Sequence, residues 1–342
     1  MRQFFFKDGT GYKGHLFMLL FFTGLVFAGK VVPLPGPLRP NGITVGSERV
    51  YIIEDTTVYI YSLKDYRLIK KFGRAGEGPG ELKEMIYSID IQPDHIIVNS
   101  AGRMSYFTKD GDFIKQASAT SASINYESIG DGYVGMRLLA ENNTLYFAIN
   151  LYNSKLAKIK EIHRFKHPFQ RGKNVDPTDA RVCSYHVYDN KIFIDKKNGI
   201  IDVYKKEGEK LYSIDPGIEK VKITKHHEKR YMDFWKSNRI IRAEYKAFKD
   251  RLKFLKYFSF IRNFHVIGGK IYILTHKEIT GKNELLVYSI KGKLLKKVLV
   301  PLVNIDTLIP QVYNFYTIKN GKLFILVENS DTETWELHIT GI

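Results

Sequence analysis

Two histidines and an aspartate recur at one position of an internal repeat. Six residues open alternating β-type runs: Arg49, His95, Thr144, Lys191, Lys270 and Lys322. Counting back five positions from each gives Thr44, Asp90, Leu139, His186, His265 and Thr317. Imidazole and carboxylate donors suit zinc or another divalent cation, and a water in an open coordination position becomes a nucleophile. His186, His265 and Asp90 are the candidate metal ligands; no cofactor is predicted from the sequence, and a divalent metal is the alternative these three residues leave open. The competing reading is that these side chains are hydrogen-bonded core or channel-lining groups, because strand residues alternate between faces.

Other chemistry-bearing residues carry weaker signals. His163 and His167 stand four apart in a segment that reads as strand then loop, so the spacing does not place both on one face. His226 and His227 read as the start of a helix. Cys183 is the single cysteine, which excludes an intramolecular disulfide and a cysteine-based zinc cage, and no nucleophile signature surrounds it. Asn142-Asn143-Thr144 is a formal glycosylation sequon. Gly76, Gly78 and Gly80 form a glycine-rich stretch, but no Gly-Lys-Ser/Thr follows and the next segment reads as a strand, so a phosphate cradle is not expected.

The elements that position these residues follow from periodicity. Short alternating runs such as KIYI (270–273), KIFI (191–194), KLFI (322–325) and RVYI (49–52) each follow a polar turn, and each is preceded by another β-type run. A third and a fourth run usually follow. Six such units, each of four antiparallel strands, predict an all-β fold, a six-bladed β-propeller. One unit cannot bury both faces of its sheet, so the blades must stack into a ring. The last unit shows three strands, and Lys30 to Leu34 is expected to supply the fourth, joining the two ends of the chain and closing the ring.

Residues 220–262 break the pattern. Ile241, Tyr245, Phe248, Leu252 and Leu255 form an amphipathic stripe, and a shorter helix is expected around His226 to Lys236. This predicts a small helical insertion between blades four and five. It holds 14 Lys and Arg against four acids. Arg239, Arg242, Lys246 and Lys249 are the candidate surface for an anionic polymer or surface, against the alternative of a solvated helix face.

The whole chain has 342 residues, 44% of them hydrophobic, and a net charge of +17. That balance excludes a disordered or collagen-like chain. Arg2, Lys7 and Lys13 precede an uncharged apolar run over residues 16–28 that ends in Val26-Phe27-Ala28. The run is short of the roughly 20 residues a comfortable span needs. It reads as a signal peptide over residues 1–28, which predicts export to a periplasmic or extracellular location, with the segment either cleaved or kept as an anchor. Residues 29–342 are then the propeller, and nucleic acid is not an expected partner.

Residues 72–82 (FGRAGEGPGEL) resemble the inter-blade turn of NHL-type six-bladed propellers. Residues 36–43 (GPLRPNGI) resemble the start of an exported bacterial group of six-bladed β-propeller proteins. So does Lys256-Tyr257-Phe258 leading into Phe264-His265-Val266 and residues 270–274. The sequence departs from that group at Ser259, where a proline is expected, and in lacking a proline after Leu82. The resemblance covers most of residues 30–340 and implies the fold more than a function. NHL-type propellers include a metal-dependent lyase, and related folds include calcium-dependent lactonases. Two readings result: an exported, non-catalytic propeller that binds a protein, peptide or glycan, and a metal-dependent hydrolase or lyase with its site at the channel mouth.

Overall fold

The computed structural model describes residues 29–83, 85–118, 125–170, 172–178, 185–237, 242–302 and 315–342. They build six four-stranded antiparallel sheets. The innermost strands are Gly42–Val45, Ile86–Ile91, Asn125–Ile129, Tyr185–Tyr188, Asn263–Ile267 and Tyr316–Lys319. In the first five blades the chain then meanders outward through three more strands. The middle strands are almost wholly buried, with runs such as VYII and VYIY, because each sheet packs a neighbouring blade on both faces. The outermost strands are short, exposed and lysine-bearing, as in LIKKF and LLKKVLV. Charged side chains on a free edge discourage pairing with another chain.

The sixth blade contains both ends of the chain. Its strands are ordered Tyr316–Lys319, Lys322–Asn329, Thr334–Gly341 and then Lys30–Leu34 on the outside. Lys30 pairs with Ile339 and Leu34 with Trp335, antiparallel and without a bulge. Val32 and Leu34 are buried beside Leu337 and Ile339. The closure expected from the sequence is the one observed.

Blade three differs from the sequence-based alignment. Thr144 opens the third strand, Thr144–Tyr152, not the second. The second is Gly132–Glu141, so Leu139 lies well away from the innermost position. The hairpin at Asn142 and Asn143 has positive φ at both residues, 47° and 59°, as a two-residue turn of this hand requires. The long hairpin hid the turn at Gly130 and Asp131, which is the true counterpart of the first turn in the other blades.

The insertion also differs in part. Helix Lys225–Ser237 is present, and Thr224 and His227 cap its start reciprocally, the His227 N–H donating to Thr224 Oγ1 and the Thr224 N–H to His227 Nδ1. The second helix covers only Arg242–Phe248, followed by a 3₁₀ turn at Lys249–Arg251. Beyond it Leu252 is extended and bridges to Val175. The Val175 N–H donates to the Arg251 carbonyl and the Lys253 N–H to the Val175 carbonyl, taking backbone groups that a continuing helix would use. Leu255 is left exposed. The insertion has its own small core of Trp235, Tyr231, Ile223, Phe258 and Val175.

Candidate functional site

The six innermost strands line a cavity of about 370 Å³ on the ring axis. Register fixes which residues face it. Thr44, Asp90, His186, His265 and Thr317 each lie opposite a large second-strand residue: Tyr51, Ile97, Phe193, Tyr272 and Phe324. In blade three the residue at this register is Glu127, opposite Val134. All six line the cavity. The sequence alignment missed Glu127 because it skipped the strand Asn125–Ile129. The signal that would have found it is the Ile129-Gly130-Asp131-Gly132 turn, which matches the Gly or Asp turns of the other blades.

Four of the six are titratable, and the protein partly engages them. Asp90 Oδ2 accepts hydrogen bonds from the Ser128 N–H (2.9 Å), the Ser128 hydroxyl (2.5 Å) and Gln92 Nε2 (2.9 Å). Glu127 Oε2 accepts from the Val187 N–H at 2.7 Å. Glu127 Oε1 stands 3.6 Å from His186 Nδ1, beyond hydrogen-bond range. The His186 and His265 rings have centroids 5.2 Å apart, tilted by 45°. His186 also meets the edge of Phe264, and His265 the edge of Tyr316. His186 thus joins Glu127 and His265 in one row across blades three to five, while Asp90 is turned towards Ser128 and Gln92.

The row is short of charge at neutral pH. Desolvation pushes the Glu127 carboxyl up to about 8, opposed by the Val187 N–H and reinforced by nearby Asp90. Desolvation pulls His186 down to about 4. It pulls His265 down to about 3, with His186 as the second cause. Asp90 is raised by desolvation as well, against the hydrogen bonds from Ser128 and Gln92. The residual exposure of the His186 and Glu127 side chains, 24% and 22%, is area turned to the cavity, so protein still surrounds most of each group. At pH 7 the row presents a neutral carboxyl and two neutral imidazoles.

Three buried polar atoms of cavity-lining residues have no hydrogen-bond partner within the protein: Ser88 Oγ, Asn125 Oδ1 and His265 Nε2. Buried polar groups are costly to leave unpaired. Each of the three is itself almost closed off from solvent, and similar atoms lie on residues away from this cavity, so they are packing costs and not groups presented to a ligand.

A metal fits this donor set only in part. Neutral imidazoles are the form a metal requires. Among the described residues, however, no group of three or more His, Cys, Asp or Glu side chains is gathered as a metal centre.

The other sequence candidates fall elsewhere. His163 Nδ1 accepts from Lys196 Nζ at 3.3 Å, and His167 Nδ1 from the Phe169 N–H at 3.0 Å, so each has a partner within the protein. The glycine stretch wraps an internal anion. Glu81 Oε2 accepts from the Gly78 N–H at 2.8 Å, and Arg74 pairs with Glu81 Oε1 at 2.8 Å. A Cβ at Gly76 would lie 2.0 Å from Glu81 Oε2. The loop holds its own carboxylate where a phosphate cradle would hold a ligand. Lys246 and Lys249 are exposed on the insertion, and Arg242 lies in the helix Arg242–Phe248. Other insertion cations are paired: Lys225 with Glu228, Lys229 with Asp233 and Arg230 with Glu278. Arg239 and Cys183 lie outside the described residues.

No family model matches the chain, and no curated protein matches it. Solved structures overlap with it at low identity. BamB from Moraxella catarrhalis is 8% identical over 93% of this chain and 100% of that one, with a TM-score of 0.42. A chain of the mitotic checkpoint complex is 9% identical over 100% and 99%, with a TM-score of 0.44. A chain of the BBS1N complex with ARL6DN is 11% identical over 89% and 77%, with a TM-score of 0.39. At these scores the overlaps carry no argument about function; the propeller assignment stands on the pairing of the strands themselves.

Proposed function

We propose that this chain is an exported, non-catalytic binding propeller that takes a polar segment of a protein, peptide or glycan into its central channel. The observation that carries the reading is the cavity of about 370 Å³ with the partly exposed Glu127 and His186 side chains in its wall. Its volume falls in the range of small-ligand sites. Its Glu127, His186 and His265 row is neutral at pH 7, which suits a hydroxyl- or amide-rich ligand better than a strongly charged one. Export is supported by Arg2, Lys7 and Lys13 ahead of the apolar run over residues 16–28. The likeness of residues 72–82 to NHL-type turns agrees with a binding scaffold. The test is a glycan and peptide array probed with the wild type and with Glu127→Ala/His186→Ala. Wild-type hits that the double variant loses support the reading; hits retained in full by the variant sink the channel as the site.

The paired imidazoles favour a second reading, a metal-dependent hydrolase or lyase using His186 and His265. Glu127, not Asp90, would be the nearest carboxylate. Metal content of the purified protein, beside His186→Ala/His265→Ala, decides it. Stoichiometric metal that the double variant loses supports the second reading, and a metal-free wild type removes it.

A further inference from the structure

The two faces of the ring differ in what they carry. One bears the turns between first and second strands and between third and fourth strands. The other bears the second-to-third turns and the blade-to-blade connections, including the helical insertion. On the first face, several cations of blades one, two and four have acidic partners: Arg49 with Asp110 (3.1 Å), Lys191 with Asp189 (2.8 Å) and Lys205 with Glu209 (2.9 Å). Blades five and six have no acid to offer in these turns. Their turns at residues 268–270, 290–293 and 319–322 contain Lys270, Lys291, Lys293, Lys319 and Lys322 and no Asp or Glu.

These lysines share one end of the two blades. Lys270 pairs with Ser289, where the turn to Lys293 begins. Lys319 pairs with Lys322, which pairs with Gly341. Ile267 and Ile318, one residue from these turns or at their edge, pack in a single apolar cluster with Ile342. Lys270, Lys291, Lys293 and Lys322 are exposed, and Lys319 also lines the cavity. Lys30 adds a sixth cation at the same end, because it pairs with Ile339 at the start of the closing strand, its ammonium over the Tyr66 ring.

Lys30 also fixes the occupant. The uncharged apolar run over residues 16–28 ends two residues before it. A chain held in a bilayer by that run would bring this face of the ring, at the seam of blades six and one, to the headgroups. Lysines held close to an anionic bilayer surface are each attracted to it, so a basic rim beside a membrane-held segment adds electrostatic attachment to it. We propose that the lysine-only rim of blades five and six docks on an anionic lipid bilayer, leaving the helical insertion on the far face pointing away.

The test uses residues 29–342, which contain every strand of the six blades, so that docking is measured without the apolar run. Co-sedimentation is compared on phosphatidylcholine vesicles and on vesicles that also contain phosphatidylglycerol. Each lysine at an anionic surface is worth about fivefold in partitioning, so Lys270→Glu/Lys291→Glu/Lys293→Glu is expected to lose on the order of a hundredfold. Lys246→Glu/Lys249→Glu/Lys253→Glu makes the same change of net charge on the far face and is expected to lose little. Salt at about 1 M is expected to release the wild type, since screening shortens the reach of the lysines to about 3 Å. Equal losses by both triple variants would mean that net charge, not this rim, drives binding, and would overturn the proposal. So would a wild type that ignores the anionic vesicles; retention on a heparin column at the same salt would then assign the rim to a soluble polyanion. Acylation of the rim lysines with and without vesicles gives a second readout that needs no variant, and unchanged labelling of Lys291 and Lys293 on bound protein refutes the docking.

Discussion

Glu127 Oε1 and His186 Nδ1 face each other 3.6 Å apart across the boundary between blades three and four. The carboxyl is raised to about 8 and the imidazole lowered to about 4. An exposed pair at this distance would form an ion pair at neutral pH. Here burial removes both charges, because neither gains enough from the other to offset leaving water. The two shifts pull stability in opposite directions with pH, and single variants separate them.

For Glu127 the folded value lies above the unfolded one, so the native state holds the proton more tightly. Its penalty is absent below about pH 4.5 and grows as pH rises towards 8. Glu127→Gln keeps the neutral shape and removes the titration. Relative to the wild type, the variant is expected to gain on the order of 4 kcal/mol between pH 5 and pH 9. Denaturant midpoints measured across that range check it; a wild-type-to-variant difference that stays flat with pH would refute the assigned shift.

The histidines behave in the opposite sense. Both folded values lie below the unfolded one, so their contribution is intact above about pH 6.5 and is lost as pH falls through 6.5 towards 4. His186→Gln is expected to flatten the acid limb of the stability curve by roughly 1–3 kcal/mol at pH 4. NMR titration of the two imidazoles gives an independent check, since neither ring should take up a proton above about pH 5.

Most of the propeller was legible in the sequence because turn chemistry and two-residue alternation repeat visibly. Spacing alone gave Thr44, Asp90, His186, His265 and Thr317 one equivalent inner-strand position, and only the strand register shows that this position faces the cavity. Glu127 was missed, since blade three has a long second hairpin whose Asn142-Asn143 turn looks like the first turn of the other blades. The helix predicted through Leu252 and Leu255 failed for a different reason. Its apolar spacing is helical, but pairing of Arg251 and Lys253 with Val175 is a long-range contact that no local pattern reveals. The polar commitments of Asp90 were equally invisible, because Ser128 belongs to the next blade.

The glycine-rich loop offers a local test of a structural reading. Glu81 organises it by accepting the Gly78 N–H while pairing with Arg74. Those bonds hold the carboxyl below its ordinary value, with the Gly78 N–H as the largest cause. Glu81→Ala removes the internal anion and is expected to loosen residues 74–81 with little effect on the blades. Limited proteolysis should then cut within this loop first. A variant that instead binds phosphate or nucleotide would restore the cradle interpretation, whereas resistance equal to the wild type would deny Glu81 its organising role.

Ring closure supplies the last prediction. Leu34 is 3% exposed and packs with Leu337, Ile339 and Tyr61 at the seam between the sixth and first blades. Truncating a buried leucine costs about 2–5 kcal/mol, and more where the cavity cannot collapse. Leu34 sits on a strand held only on one side, so part of the void can close by shifting that strand, and Leu34→Ala is expected at the lower end of the range. Deleting residues 30–34 is a more severe change. It leaves Thr334–Gly341 as an unpaired edge of eight residues with few charges, which is a template for pairing with another chain. The shortened protein is therefore expected to form dimers or larger assemblies at concentrations where the intact chain is monodisperse, and adding the peptide KVVPL in excess should reverse this. Light scattering reads both outcomes. A deletion variant that remains monomeric and as stable as the full ring would show that the sixth blade does not depend on its closing strand.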